Sequence, residues 1–342
     1  MMDFVLQYGL FAAKTVTVVV ALVVAFGVLA ALVAGLSRRS RQPDRLQVTD
    51  LNGRYASLKR TLESRILPRK GFRSEEKTRR RRRRALGKRS PEQAGEAKRI
   101  FVLNFRGDIR ASAVAALREE ITALLTLARP RDEVVLRLEN AGGLVHDHGL
   151  AASQLARIRS RGIPLTVAVD KIAASGGYMM ACVGTRIIAA PFAILGSLGV
   201  LLQLPNFHRW LDARGIDFEL LKGGEYKRNL TLFGENTDEG RARMQKEIDD
   251  THQLFKDFVH EHRPQVDIAA VATGEHWYGR RALELELCDA LETSDDYLLA
   301  ASEEAELYEL VYTSRKPVVR KLIDVVGDLS ETVIGRRLTP AA

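Results

Sequence analysis

Only two cysteines occur in the 342 residues, Cys182 and Cys288, 106 positions apart and in no CxxC or paired-histidine spacing. A disulfide scaffold and a Cys-rich zinc module are excluded. His260-Glu261-His262 is not HExxH, so no zinc site follows from it. No internal repeat is present. A basic surplus on the folded part is also missing, although the formal charge is +9. Residues 37–99 hold 22 Lys+Arg against 7 Asp+Glu and residues 1–36 hold one of each sign, which leaves 29 basic and 35 acidic side chains for residues 100–342. A body of net −6 has no cationic excess to track phosphates, so nucleic acid is not an expected partner.

What is there begins with an uncharged apolar run, TVTVVVALVVAFGVLAALVAGL, over Thr15–Leu36. Its 22 residues at about 1.5 Å each span the roughly 30 Å hydrocarbon layer and exceed the apolar region of a cleaved signal peptide. One transmembrane helix is expected, anchoring the chain in a lipid bilayer through residues 15–36. Arg38, Arg39, Arg41 and Arg45 follow it against Lys14 before it, which favours a cytoplasmic C-terminal side. A large domain overrides that bias, so orientation stays open. Residues 37–99 read as a basic, solvated linker with a short helix around Leu58 to Ile66, and the unbroken Arg79–Arg84 fits a segment resting on anionic head groups.

From Ile100 the pattern alternates. Strand-like runs at Ile100–Phe105, Val134–Leu138 and Ile163–Val169 are separated by helical stretches at Ala111–Leu127 and Leu150–Ser160. Ser175-Gly176-Gly177 opens a helix reaching Val183. Strands at Arg186–Ala190, Ile194–Leu202 and Asp217–Leu221 and a helix at Phe207–Arg214 are expected next. Thr237 then caps a long amphipathic helix with Phe255, Phe258 and Val259 on its apolar stripe. This alternation predicts an α/β fold around a largely parallel sheet.

Ser175 is the first candidate for chemistry. It stands where a buried strand hands over to a helix, in Asp170-Lys171-Ile172-Ala173-Ala174-Ser175-Gly176-Gly177-Tyr178. Backbone N–H groups at a helix start can hold an oxyanion, whereas the plain structural role for such a serine is an N-cap. It is not the GxSxG elbow, because Ala173 stands at the first glycine. A second turn, Glu139-Asn140-Ala141-Gly142-Gly143, is placed to bring a backbone amide beside the same site if the two strands are neighbours. His146 and His148 flank Asp147 just after that turn, while His252, His260 and His262 lie along or at the end of the long helix and read as surface residues. A serine needs a base, and a lysine serves once burial disfavours its charged form. Lys171 sits at a strand end, Lys77 lies in the charged linker, and Lys227 follows Gly223-Gly224 at the edge of the core.

Residues of about 100–312 resemble the catalytic domain of the signal peptide peptidase A family of serine-lysine peptidases, and the anchor, basic linker and single domain resemble its SohB-like membrane-anchored branch. The matching pieces are Asp170–Tyr178, Lys227 in G-x-Y-K, Gly196-Ser197-Leu198-Gly199-Val200, and Trp277-Tyr278-Gly279-Arg280-Arg281-Ala282-Leu283. The resemblance implies a crotonase/Clp-protease-like ββα superhelix preceded by one transmembrane helix. It implies Ser175 as nucleophile, Lys227 as general base, Ser197 orienting the lysine amine, and the N–H groups of Gly142 and Gly176 as oxyanion hole. It implies peptide or protein substrates, no cofactor, a homo-oligomer and a bacterial inner-membrane location. The expected layout is an anchor over 1–36, a linker over 37–99, a catalytic domain over 100–312 and an extension over 313–342. Two departures stand out. Asn140-Ala141 replaces the serine and proline of the family's S-P-G-G, and Glu286 stands where the family has glycine. A catalytically silent scaffold and a crotonase-like acyl-thioester enzyme are the alternatives, and neither requires the Ser175/Lys227 pair.

Overall fold

The computed structural model describes residues 14, 17, 19, 45–68, 97–224, 227 and 230–313. Gln47–Val311 form one compact unit, and Met1–Leu46 with Tyr312–Ala342 are grouped as a second. Of the expected anchor only Lys14, Thr17 and Val19 are described, each helical and exposed, and Lys77, Arg79–Arg84 and the C-terminal extension from residue 314 lie outside the described residues. No described helix is long and apolar enough to cross a membrane.

In chain order the elements are β1 (Arg45–Asp50), α1 (Leu51–Ile66), β2 (Arg99–Arg106), α2 (Val114–Leu125), β3 (Glu133–Glu139), α3 (Val145–Arg159), β4 (Leu165–Val169), β5 (Ile172–Ala174), α4 (Gly176–Ala181), β6 (Arg186–Ala189), β7 (Ile194–Gly196), α5 (His208–Asp212), α6 (Asp238–His262), α7 (Ile268–Val271), β8 (His276–Tyr278), α8 (Gly279–Glu284), β9 (Ala290–Leu291), α9 (Ser294–Ala301) and β10 (Glu306–Thr313). The chain is a mixed α/β protein. Its large sheet runs β1-β10-β2-β3-β4-β6-β9, and a small sheet runs β5-β7-β8. From β10 to β9 every pairing is parallel. The central strands are apolar on both faces, with Val102, Leu103, Val134, Val135, Leu136, Val167 and Ile188 wholly buried, as a parallel sheet covered by helices requires.

Three expectations need correction. The strand expected over Ile194–Leu202 stops at Gly196, and Ser197 to Leu202 form none. The segment Asp217–Leu221, read as a strand, forms none and is exposed, because its apolar residues have no strand beside them among the described residues. The linker helix begins at Leu51 and not near Leu58; Asp50 Oδ1 caps it by accepting from Gly53 N–H at 3.0 Å. Its first turn is built into the body. Leu51 packs with Ile100, Val102 and Leu307, and Asn52 Nδ2 donates to Ser302 O and Ala305 O while its Oδ1 accepts from Leu307 N–H. Thr237 caps α6 as expected, accepting from Gly240 N–H at 3.1 Å.

The site is positioned where β4 leaves the large sheet. After Val169 the chain bends through Asp170, whose carboxylate accepts from the N–H and hydroxyl of Ser294 at 2.8 and 2.6 Å. It then enters β5, which pairs with β7 in parallel, Ala174 opposite Gly196. Asn140, directly after β3, bridges to Ala173, with Asn140 N–H donating to Ile172 O and Ala174 N–H to Asn140 O. Three chain segments therefore end side by side.

Candidate active site

Ser175 is the residue at which β5 ends and α4 begins. Its N–H donates to Gly196 O at 2.8 Å, and its backbone is held at φ 52° and ψ −120°, a conformation that costs a non-glycine residue on the order of 1–3 kcal/mol. It occupies the N-cap position, yet its side chain makes no capping hydrogen bond. The N-cap role for this hydroxyl is therefore set aside, and among the described residues the Oγ has no hydrogen-bond partner. Strain without a capping bond is what a nucleophile presented on a sharp turn would show.

The two glycines after Ser175 follow from close approach. A Cβ on Gly176 would fall 2.5 Å from His148 Cγ, and one on Gly177 would fall 2.1 Å from Asn140 O. As first residue of α4, Gly176 has an N–H with no partner inside the helix. Tyr178, which closes the motif, is wholly buried and donates to Leu287 O at 3.0 Å.

Gly142 lies against Ser175. It has φ 94°, and a Cβ there would meet Ser175 Cβ at 2.7 Å. Its N–H is already engaged, donating to Asn140 Oδ1 at 2.9 Å. The next residue, Gly143, lines a pocket of about 10 Å³ with Ser175, Gly176, Val145, Met179, Gly199, Val200 and Phe255, and its N–H has no hydrogen-bond partner among the described residues. That volume admits about one water or a methyl-sized group.

Ser197 follows Gly196, so it comes directly after the strand position opposite Ala174. It too has positive φ, 53°, and its N–H donates to Glu275 O at 2.6 Å. Ser175 and Ser197 thus leave adjacent strand ends. Lys227 sits on an exposed bend, its N–H donating to Gly224 O at 3.3 Å. The structure brings Ser175, Gly142 and Gly176 together and sets Ser197 at the adjacent strand end, and Lys227 is exposed. Lys171 is spent on an ion pair with Glu139 at 3.3 Å.

Sequence reasoning passed over the buried pair Asn140 and His148. His148 has no exposed surface, with Nδ1 2.9 Å from Leu144 O and Nε2 3.2 Å from Asn140 Oδ1. The only signal was a histidine soon after a turn lacking its proline. The other histidines are not all free surface groups either, since His252 Nε2 lies 3.1 Å from Leu198 O. A larger cleft of about 280 Å³ opens at the ends of β2 and β3, but Arg106 and Lys171 there are both committed to Glu139.

Residues 3–155 match the family profile Peptidase family S49 N-terminal, and residues 157–308 match Peptidase family S49. The probable protease SohB of Buchnera aphidicola subsp. Schlechtendalia chinensis is 44% identical over 309 residues, 87% of this chain and 100% of that one. The chain belongs to peptidase family S49. Similar proteins include the probable proteases SohB of Haemophilus influenzae, 51% identical over 65% of this chain and 63% of that one, and of Buchnera aphidicola subsp. Acyrthosiphon pisum, 52% identical over 69% and 71%. The match therefore spans a little under two thirds of the Haemophilus relative. This S49 chain is thus SohB-like and of a serine-peptidase family.

Proposed function

We propose that this chain is a membrane-anchored serine endopeptidase that cleaves extended apolar peptide segments, such as signal peptides or membrane-protein fragments, with Ser175 as nucleophile and Lys227 as general base. The observation that carries the reading is the Ser175 hydroxyl, held on a strained turn, uncommitted to capping, beside a pocket of small and apolar residues. Lys227 takes the hydroxyl proton, the Oγ attacks the scissile carbonyl, the amine leaves with that proton, and water releases the acyl-enzyme. Ser197, on the neighbouring strand end, orients the lysine amine. The oxyanion is held by Gly176 N–H and by the Gly142-Gly143 turn. For Gly142 to donate, its bond to Asn140 must open; Gly143 donates without that cost. The pocket's small volume fits a small side chain at the cleaved position.

The exposure of Lys227 bears on assembly. A lysine works as a base only once its charge is desolvated, and Lys227 is exposed. It belongs to an arm, residues 201–233, that leaves Leu201, Trp210, Phe218 and Leu221 in solvent, Leu221 by 94%. Apolar surface of this kind favours self-association. In our reading the arm is covered in a homo-oligomer, and covering it carries Lys227 into an active site. Residues 15–36 hold the assembly in the bacterial inner membrane as a single span, and the basic linker within 37–99 tethers the catalytic domain of about 100–312, whose body also takes in β1 and the first turn of α1. We read the large and small sheets as the two sheets of a crotonase/Clp-type ββα superhelix.

Ser175→Ala and Lys227→Ala in the full chain, assayed on casein and with a fluorophosphonate probe, test the proposal. Both should lose activity, Lys227→Ala by about 10²–10⁴-fold, and Ser175→Ala should also lose the label. Cleavage at the parental rate by either variant would refute the dyad.

A further inference from the structure

The turn after β3 lacks the proline that the family pattern places before the glycine pair. Proline would fix φ there, so Asn140-Ala141-Gly142-Gly143 needs another restraint. Asn140 supplies one: its Oδ1 accepts Gly142 N–H at 2.9 Å, an Asx turn. The same oxygen lies 3.2 Å from His148 Nε2. An amide oxygen only accepts, so Nε2 bonds it as a donor; Leu144 O, 2.9 Å from Nδ1, is an acceptor too, so a neutral ring that donates to Asn140 only touches Leu144 O, and a ring protonated on both nitrogens bonds both. Asn140 Nδ2 in turn donates to Met180 Sδ at 3.4 Å, and the Asn140 backbone is bonded to Ile172 and Ala174 of β5, the strand that delivers Ser175. The His148 ring sits against Gly176, where no Cβ would fit. Asn140 and His148 are 1% and 0% exposed, so their mutual contact is shielded from solvent, while the bond from Gly142 N–H is part-buried.

We propose that Asn140 and His148 are a positioning pair that replaces the missing proline: His148 holds the Asn140 carboxamide, the carboxamide spends Gly142 N–H on fixing the turn, and the His148 ring seats Gly176, so that the uncommitted N–H groups of Gly143 and Gly176 keep their places on the two sides of Ser175. Its consequence for catalysis rests on the serine-peptidase reading above. A shift of about 1 Å in an oxyanion donor costs on the order of 10²-fold in rate, with little effect on substrate binding.

Three kinds of variant of the full chain decide the matter. Asn140→Ala should lower kcat by about 10–10²-fold with KM within about threefold, and should speed hydrogen exchange at the Gly142 amide about tenfold or more, as expected when the bond that protects it is lost. The double variant Asn140→Ser/Ala141→Pro restores a turn restraint of a different kind and should recover most of kcat. His148→Phe should match Asn140→Ala in the parent, yet cost little in the Asn140→Ser/Ala141→Pro background, because the partner it holds is gone. If His148→Phe does not fold, His148→Gln, which keeps an N–H donor, should retain kcat within about threefold of the parent. Unchanged Gly142 exchange in Asn140→Ala, or equal costs of His148→Phe in both backgrounds, would overturn the pair. A parent that carries no probe on Ser175 while Asn140→Ala still loses Gly142 protection would refute the peptidase reading and support the anchoring.

Discussion

At Ser175, conformation and chemistry pull against stability. Its φ of 52° is a region that glycine enters freely and serine enters at a cost. Ser175→Gly should therefore stabilise the fold by about 1 kcal/mol, strain relief less the added freedom of the unfolded chain, while abolishing probe labelling. A thermal melt beside a labelling gel reads both, and a variant less stable than the parent would show that the turn is not strained. Asp170 and Tyr178, which frame the same motif, act differently: one pins the bend to Ser294 and the other ties α4 to Leu287. The motif's spacing was visible from residue types alone. That the serine hydroxyl does no capping was not visible, since an N-cap serine and a presented nucleophile share the same local sequence.

Among the elements, α8 ends in a left-handed cap that its sequence does not favour. Glu286 has φ 58°; its N–H donates to Leu283 O at 3.1 Å, and Leu287 N–H to Ala282 O at 2.9 Å, the two bonds of a Schellman motif. Glycine is the residue that suits this position, and the family pattern has it there. Glu286→Gly should raise stability by about 0.5–1 kcal/mol and leave activity as it was; urea melts check the first and casein cleavage the second. The alternating pattern located β2, β3, β4 and β6 to within a residue or two, because strands buried on both faces are continuous apolar runs. It failed at Asp217–Leu221, where an apolar run in an exposed arm looks like a strand and has no strand partner. The short β5, β8 and β9 were missed for the opposite reason: their two or three residues carry too little periodicity, and their pairing partners are distant in sequence.

On the scale of the whole unit, the buried carboxylates of Asp132 and Glu133 and the partly exposed one of Asp289 tie distant segments together. Burial pushes the Asp289 carboxyl up, but hydrogen bonds from Arg263 and Ile187 N–H outweigh it and leave it below its ordinary range. Glu133 is likewise raised by burial and lowered further by Lys98, Tyr297 and Thr166, and Asp132 by Arg99 and Arg129 N–H. Groups whose folded values are depressed contribute stability above the unfolded carboxylate range, near pH 4, and that contribution is lost as pH falls through the lower folded values. Urea midpoints should hold from about pH 7 to 5 and drop steeply below about pH 4, with Asp289→Asn flattening the drop. A midpoint that rises on acidification would contradict this account.

By itself the sequence determined what depends on composition and local pattern: the uncharged 22-residue run, the basic segment after it, the acidic body, the alternating α/β core and the serine motif. These are properties of neighbouring residues, so no knowledge of distant contacts was needed. Only the tertiary structure decided which residues meet. It set Asn140 and His148 beneath the glycines flanking Ser175, engaged the Gly142 amide that the family pattern would leave to an oxyanion, and drew the start of the linker helix into the core. It also left Lys227 on an exposed bend. Each of these turns on where a chain segment is packed, and packing is settled by partners far away along the chain.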